Sequence, residues 1–223
     1  MVAGSGLSKG SVPPRRRPGV VASAGMKWLK RIGIGILVVL VVAFGSGVWL
    51  VRRSFPTIDG SVTVRGLSGP VTVTRDTDGV PHIQAATAHD LFMAQGYVHA
   101  QDRFWQMDFW RHIGSGRLSE LFGDSQVDTD IFLRTLGFTE TAATEYADSD
   151  PDTKLALDAY AQGVNAYLST HTGSRLALEY AVLGLQNSGY TPEPWTPVDT
   201  LTWAKVMAWD LRSNLDEIGR AHV

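Results

Sequence analysis

The run from Gly96 to Gly123, GYVHAQDRFWQMDFWRHIGSGRLSELFG, restricts the possible fold more than any other part of the chain. The predicted helix Ala88–His112 carries apolar residues at spacings of three and four, and more apolar residues fill the neighbouring sectors. A helix that is apolar nearly all round is typical of a buried position. Five of its polar residues must then be at least partly buried, and buried charges persist only when paired and hydrogen-bonded: Gln101, Asp102, Arg103, Gln106 and Asp108. The pattern predicts a polar network within a helical layer; the alternative is a solvated helix edge with i,i+4 pairs such as Asp108 with His112.

Short strands are predicted before this helix, where the apolar period is two. Ser61–Arg65 alternates small polar residues with valine, and Val71–Arg75 continues the alternation. Asp78-Gly79 is a strong hairpin-turn pair and precedes a return strand, Val80–Ala85. We expect His82 to form a hydrogen bond near this hairpin.

Helices are predicted through the rest of the chain. Asp150-Pro151 places an N-cap before proline at the first helical position, and Thr196-Pro197 repeats the arrangement. Three glycines are suited to helix ends: Gly123, Gly173 and Gly184. The periodicity gives the predicted helices Thr129–Ala147, Pro151–Leu168, Leu176–Leu183 and Val198–Leu211.

An uncharged apolar segment, Ile32–Val51, predicts a membrane span, because a helix needs roughly 20 residues to cross the hydrocarbon core. Basic residues are more numerous before this segment than after it, so the positive-inside rule places the N-terminus in the cytoplasm and the body outside. We favour an uncleaved signal anchor. The alternatives are an exported protein with a cleaved signal peptide, whose best exit site is Ala43-Phe44-Gly45, and a buried core helix.

Charge divides the chain into a basic head and an acidic body. The first 53 residues contain nine Lys or Arg and no Asp or Glu, so the remainder carries 11 basic and 22 acidic residues, a formal charge of −11. Residues before Met26 have the composition of a disordered segment. Met26 is an alternative start of the protein. The acidic body argues against nucleic-acid binding, which requires a basic face.

Several catalytic classes are excluded by composition and spacing. The chain has no cysteine, so neither a disulfide scaffold nor a thiolate zinc site is available. His89, His99 and His112 are ten and thirteen residues apart, which is the wrong spacing for an H-E-x-x-H site. Neither G-x-S-x-G nor a phosphate-binding glycine loop occurs. Each histidine is better interpreted as structural.

Four motifs in one order resemble the α-subunit region of penicillin acylases. They are RDTDGVPHI (75–83), GYVHAQDRFWQMD (96–108), GRLSELFG (116–123) and YAQGVNAY (160–167), and PWTPVD (194–199) and KVMAW (205–209) continue the match. The resemblance covers roughly Gly66 to Glu217. One such motif alone is weak evidence, but the ordered set is specific.

The resemblance implies an N-terminal-nucleophile amidohydrolase that is made as an inactive precursor. In that family a serine at the start of the β-subunit is the nucleophile, and its own α-amine, with a pKa near neutral, is the base. The expected fold class is α+β: a mainly helical α-subunit portion with short N-terminal strands, part of an αββα fold whose main sheets lie in the β-subunit. No catalytic residue is assigned to this chain, and the β-subunit of the same precursor is the expected partner.

The resemblance also implies site residues on the last helix. Met207, Asp210 and Leu211 occupy positions that line or gate the acyl pocket, and Glu217 matches a calcium ligand of the α-subunit. Some members have an arginine and an aromatic residue where this chain has Asp210 and Leu211. This difference argues against a phenylacetyl preference and leaves aliphatic acyl chains, including acyl-homoserine lactones, open. Core packing at i,i+4 is the alternative for Met207 and Leu211.

The expected organisation has five parts. Residues 1–31 form a basic cytoplasmic segment, 32–51 the signal anchor, 52–60 a linker and 61–217 the domain that resembles the α-subunit. Residues 218–223 are expected to be a non-native tail, because the sequence from Glu217 to Val223 matches the translated start of a common sequencing adapter.

Two functions remain open at this point. The first is the N-terminal portion of a hydrolase that cleaves linear amides in penicillin-like or acyl-homoserine-lactone-like small molecules. The second is a membrane-tethered, non-catalytic helical binding domain.

Overall fold

The computed structural model describes the backbone of residues 21–220 and the side chains of residues 27–211. The chain divides into two compact units, residues 1–48 and 49–223. The described part of the first unit is most of one continuous helix, α1 (Val21–Arg53), which ends in the second unit. The disorder expected before Met26 falls largely on residues outside the described range, and the predicted non-native tail ends outside it.

The second unit begins with a two-stranded antiparallel hairpin of β1 (Thr72–Arg75) and β2 (Pro81–Gln84). The turn is closed by Asp76, whose Oδ1 accepts hydrogen bonds from the amides of Asp78 and Val80 at 3.0 and 2.9 Å. Its Oδ2 lies 3.2 Å from Nε2 of His82, which confirms the hydrogen bond expected there. The predicted strand Ser61–Arg65 is wrong, because these residues have no strand partner and form no ladder.

Helix α2 (Ala88–Ser115) is the long central element, as the apolar pattern predicts. The hydroxyl of Thr87 accepts the amide of Asp90 at its start, and Gly116 ends it in the left-handed conformation. Arg103 has non-helical dihedral angles (φ −144°, ψ 23°), so the helix is kinked near its middle. The helix therefore consists of two helical segments that meet at a polar residue.

Helix α6 (Pro151–Leu168) packs closely on α2 and has the bounds that the sequence predicts. Asp150 is the expected N-cap and accepts the amides of Asp152 and Thr153. At the crossing point, a Cβ added to Gly96 would lie 2.0 Å from the carbonyl oxygen of Tyr160. Tight backbone contact between the two helices thus depends on glycine.

The remaining helices surround this pair. Short α3 (Leu118–Phe122) follows α2, and α7 (Leu178–Gln186) and α8 (Pro197–Arg220) follow α6. Trp195, Phe104, Tyr167 and Tyr180 are among the buried side chains of the core. The core therefore lies between α2, α6 and α7 and the segment that precedes α8.

The single helix predicted for Thr129–Ala147 is wrong in one respect. The structure has α4 (Val127–Leu136) and α5 (Phe138–Asp148), separated at Gly137, whose φ of +66° is left-handed. Such a conformation is easy for glycine and costly for other residues. Of the glycines predicted to end helices, Gly123 does follow α3, whereas Gly173 begins a 3₁₀ turn and Gly184 lies within α7.

Candidate functional site

A buried carboxylate, Asp108, organises the C-terminal half of α2. Its side chain is fully buried, and Oδ1 accepts a hydrogen bond from Nη2 of Arg111 at 2.5 Å. Oδ2 accepts hydroxyl hydrogen bonds from Tyr180 at 2.7 Å and from Tyr190 at 2.6 Å. One carboxylate therefore joins α2 to α7 and to the segment between α7 and α8.

Arg111 supplies the charge that balances this carboxylate. Burial acts to lower its pKa, but the charges of Asp108 and Asp199 outweigh that effect, so the pKa is raised and the guanidinium stays charged. Nη1 donates to the carbonyl oxygens of Glu193 and Pro194, and the guanidinium lies 5.3 Å from the ring centroid of Trp195. Nε has no hydrogen-bond partner among the described residues.

Both tyrosines remain neutral donors. Burial, reinforced by the charge of Asp108, raises the pKa of Tyr180 and of Tyr190 well above the ordinary value. His112 is also buried, and its Nδ1 donates to the carbonyl oxygen of Asp108 at 2.7 Å. The i,i+4 contact between Asp108 and His112 thus exists, but it is buried and not at a solvated edge. The cluster is a clamp between three chain segments, and both oxygens of its carboxylate are hydrogen-bonded.

The other four polar residues that were expected to be buried lie outside the cluster around Asp108. Arg103 and Gln106 lie at the surface, so their expected burial is wrong, whereas Gln101 is half-buried and the side chain of Asp102 is only 25% exposed and is paired with Arg75. Only Asp108 of the five forms the buried network.

The hairpin is attached to α2 by a two-point ion pair. Nη1 and Nη2 of Arg75 donate to the two carboxylate oxygens of Asp102 at 2.9 and 2.8 Å, and Nη2 also donates to Gln101. Nε2 of Gln101 in turn donates to the carbonyl oxygen of Thr57 in the linker. The RDTDGVPHI motif and the first half of GYVHAQDRFWQMD therefore serve to fix hairpin, helix and linker together.

The other two motifs are also structural joints. In GRLSELFG, the carboxylate of Asp130 accepts the amides of Leu118 and Ser119 at 2.7 and 2.8 Å. In YAQGVNAY, Gly163 allows the backbone of Met93 to approach. In the same motif Asn165 exchanges two hydrogen bonds with the backbone of Trp195, at 2.7 and 2.8 Å. The motifs identify a scaffold and not a reacting group.

A large open groove lies between the hairpin, α2, α6 and the start of α8, with a volume of about 1010 Å³. Its walls include Phe92, Met107, Leu157, Trp195 and Trp203. On one wall Nδ1 of His99 lies 3.0 Å from the hydroxyl of Tyr160. Burial lowers the pKa of His99 and raises that of Tyr160 to about 12, so both are uncharged near neutral pH.

The predicted site residues lie on one stretch of α8. Met207 is half-buried, Asp210 is exposed, and Leu211 is 62% exposed. Leu211 is thus available to a ligand or a partner and is not packed in the core of the described residues. The pocket role of these three residues stays a prediction.

The predicted calcium ligand Glu217 falls within the backbone of α8, but its side chain is outside the described range. Among the described side chains, no group of three His, Asp or Glu residues has the arrangement of a metal site. The metal role of Glu217 therefore stays a prediction.

The described serines offer no activated nucleophile. Ser68 and Ser119 donate to the carboxylates of Asp90 and Asp130, and no described serine hydroxyl is hydrogen-bonded to a histidine. A serine hydroxyl needs a nearby base to become a nucleophile. The hydrogen-bonded joints described above can position catalytic groups that another part of the protein supplies.

Comparison with known proteins agrees with this architecture. Residues 70–223 match the model of the penicillin amidase family. The penicillin acylase 2 proenzyme of Pseudomonas sp. (strain SE83) is 39% identical over 146 residues, which are 66% of this chain and 18% of that protein. The acyl-homoserine lactone acylase QuiP of Pseudomonas aeruginosa is 34% identical over 202 residues, which are 89% of this chain and 23% of that protein. This chain spans about a fifth of the length of these curated relatives.

A solved structure extends the comparison to the fold. The thermostable penicillin G acylase from Alcaligenes faecalis is 29% identical, with a TM-score of 0.50 over 68% of this chain and 88% of that chain. The mainly helical body with two short strands, expected from the resemblance as part of an N-terminal-nucleophile hydrolase fold, is confirmed. This chain belongs to the penicillin amidase family.

Proposed function

We propose that this chain is the N-terminal portion of a precursor amidohydrolase that cleaves linear amides and releases a carboxylic acid. Family membership supports this proposal, as do the names of the relatives, which include a proenzyme and acylases of two substrate classes. The nucleophile would be an N-terminal serine of a β-subunit from the same precursor. That subunit is the proposed partner of the described scaffold.

The observation that carries the proposal is the match of residues 70–223 to the penicillin amidase family, in a chain that spans about a fifth of the length of its relatives. Both oxygens of the Asp108 carboxylate accept hydrogen bonds from internal donors, so this ionic group, the most buried among the described residues, is structural. In addition, the match to the solved acylase covers 68% of this chain and 88% of the solved chain. The solved acylase chain is therefore shorter than the present chain and far shorter than the proenzyme. One relative is named a proenzyme and another is solved as a short chain, and together these support a processed precursor.

The proposed chemistry uses two groups of one N-terminal serine, its α-amine and its side-chain hydroxyl. The free α-amine of the N-terminal serine takes the hydroxyl proton, the oxygen attacks the amide carbonyl, and the amine product leaves with a proton. Water then attacks the acyl-enzyme ester and releases the acid. Donors of the β-subunit would stabilise the oxyanion, and residues of this chain would position that subunit and line the acyl pocket.

The substrate would be a small molecule with an acyl amide, of the penicillin or the acyl-homoserine lactone type. We place Met207, Asp210 and Leu211 at the acyl pocket. Leu211, largely exposed, lies one helical turn after half-buried Met207, so the two form a short apolar strip. An aliphatic acyl chain suits such a strip better than a stacked aromatic ring.

Calcium is proposed as a structural ion, with Glu217 as one ligand. A carboxylate suits this hard cation, and the other oxygen ligands would come from the β-subunit. No chemical step is assigned to the ion.

We also propose an extracytoplasmic body tethered by α1. The described residues contain one helix with the length and composition of a membrane span, Lys27–Arg53. The basic head before it and the acidic body after it fit an N-terminus in the cytoplasm.

The alternative is a membrane-tethered helical domain without catalysis, which the groove of about 1010 Å³ favours because it is large enough for a small molecule. Expression of the whole gene, followed by mass spectrometry of N-acyl substrates, separates the two. We expect release of the acid together with a new chain that begins with serine. An unprocessed protein that binds N-acyl compounds and releases no acid would support the alternative.

A further inference from the structure

Helix α1 exposes an apolar surface that no described residue covers. Its segment Lys27–Arg53 has a mean hydropathy of 2.6, and none of its most apolar window is buried. Large side chains such as Leu37, Leu40 and Phe44 are between 60% and 75% exposed. Exposure of this much contiguous apolar surface to water is strongly unfavourable. The surface is therefore suited to an apolar occupant.

Two tryptophans mark the ends of this surface. Trp28 is 64% exposed and Trp49 is 61% exposed. They are 21 residues apart in one continuous helix, which corresponds to about 32 Å along the axis. The hydrocarbon core of a bilayer is about 30 Å thick, and tryptophan is enriched at both of its interfaces. The spacing of the two indoles matches the distance between the interfaces.

The charged residues are placed consistently with this match. Lys30 and Arg31 lie just inside Trp28, and helical side chains tilt towards the N-terminus, so these cations can reach the headgroups on that side. At the other end Arg52 and Arg53 follow Trp49. The guanidinium of Arg53 lies 4.7 Å from the ring centroid of Trp49, a cation–π contact. Both ends thus combine an indole with cations, as a phospholipid interface favours.

Resting on the tether proposed above, we propose that Trp28 at one interface and Trp49 at the other fix the depth of α1 in a phospholipid bilayer. A signal peptide that is cleaved needs neither indole, and its apolar core is shorter than this one. A second copy of the helix would cover only one face, whereas the exposed residues surround the axis. Lipid covers all faces.

The absence of cysteine makes a direct test simple. Single cysteines are introduced into the full chain at Ser23, Val39 and Ser54, and intact bacterial spheroplasts are treated with an impermeant maleimide. We expect labelling at Ser54→Cys, protection at Val39→Cys, and labelling at Ser23→Cys only after lysis. Carbonate-washed membranes should contain the chain with residues 27–53 intact. A soluble chain that begins within 32–51 would overturn the proposal.

The depth of α1 in the bilayer is tested by finding the residue at which protection from maleimide labelling ends. Cysteines placed one at a time at residues 47, 48 and 50 to 54 give the first labelled position, and Trp49→Ala should move that position by about one to three residues. Trp49→Tyr, which keeps an amphipathic ring, should restore it, and Leu40→Ala in the middle of the span is the matched control. An unchanged boundary in Trp49→Ala would overturn the role of the indole. Labelling requires no enzyme activity, so its outcome is independent of the proposed hydrolase.

Discussion

The hydroxyl of Tyr180 donates a 2.7 Å hydrogen bond to Oδ2 of Asp108, a residue 72 positions earlier in the chain. Tyr190 donates to the same oxygen, and Arg111 donates to the other. The carboxylate thus holds the central helix, α7 and the following segment at one point. We interpret this clamp as part of the scaffold that would position a catalytic β-subunit.

Replacement of Tyr180 by phenylalanine tests the clamp. We expect Tyr180→Phe to lower the free energy of unfolding by about 1.5 to 3 kcal/mol, because a buried charged acceptor loses one donor. Urea unfolding of the full chain in mild detergent, followed by far-ultraviolet circular dichroism, gives this value. Tyr146→Phe is the matched control, since the Tyr146 hydroxyl also donates to a carboxylate, Asp158 at 2.7 Å, but at a half-exposed site. Equal losses in the two variants would contradict a special role for the buried cluster.

Because α2 and α6 are in close contact, the addition of a single methyl group between them should strongly lower the stability of the chain. A Cβ at Gly96 would lie 2.0 Å from a backbone oxygen of α6, so Gly96→Ala should destabilise the chain by more than about 3 kcal/mol or prevent folding. Gly184 is also helical but has nothing within 4 Å of an added Cβ. Gly184→Ala should therefore be neutral or stabilising by up to about 1 kcal/mol. Comparable urea midpoints for the two alanine variants would show that the helices do not pack as described.

Acid sensitivity should arise from the carboxylate of Asp90. Hydrogen bonds from the hydroxyl and amide of Ser68 hold the pKa of this carboxylate well below its ordinary value. A carboxylate whose pKa is lowered by folding stabilises the native state above its unfolded pKa, and this contribution is lost as pH falls below about 4. We expect Asp90→Asn to lower the urea midpoint at pH 7, with a difference from the unmodified chain that shrinks below about pH 4.

The control for this experiment is Asp59→Asn in the exposed part of the linker, which should leave the pH profile unchanged. A constant difference between Asp90→Asn and the unmodified chain from pH 7 to pH 3 would contradict the argument.

The apolar strip on α8 predicts a chain-length effect on catalysis by the whole precursor. Leu211→Ala should lower kcat/KM by about tenfold for a long aliphatic acyl amide and less for a short one, because the lost burial is that of one leucine side chain. Leu185→Ala, at an 86% exposed leucine on α7, is the matched control and should change neither value. If Leu211→Ala reduced kcat/KM equally for all chain lengths, the acyl-pocket position would be wrong.

Local signals in the sequence are sufficient to predict some of the helices. Asp150 before Pro151 fixed the start of α6, since the cap and the proline act within four residues. The apolar pattern of α2 predicted its length, and its motifs indicated the family. These features depend on short-range chemistry that a single sequence contains.

Other features depend on partners that are distant in the chain. The alternation in Ser61–Arg65 resembled a strand, but a strand also requires a neighbour, and β1 and β2 pair with each other. The break at Gly137 was missed because the apolar period continues across it. The donors to Asp108 come from Tyr180 and Tyr190, and no spacing rule connects residues so far apart.

The most direct test of the central claim is hydrolysis of a chromogenic acyl amide by two preparations. One is the purified 223-residue chain, and the other is the product of the whole gene expressed under the same conditions. We predict no hydrolysis by the first and release of the chromophore by the second, because the nucleophile would be supplied by the β-subunit. Hydrolysis by the 223-residue chain alone, or none by a processed whole-gene product, would contradict the account.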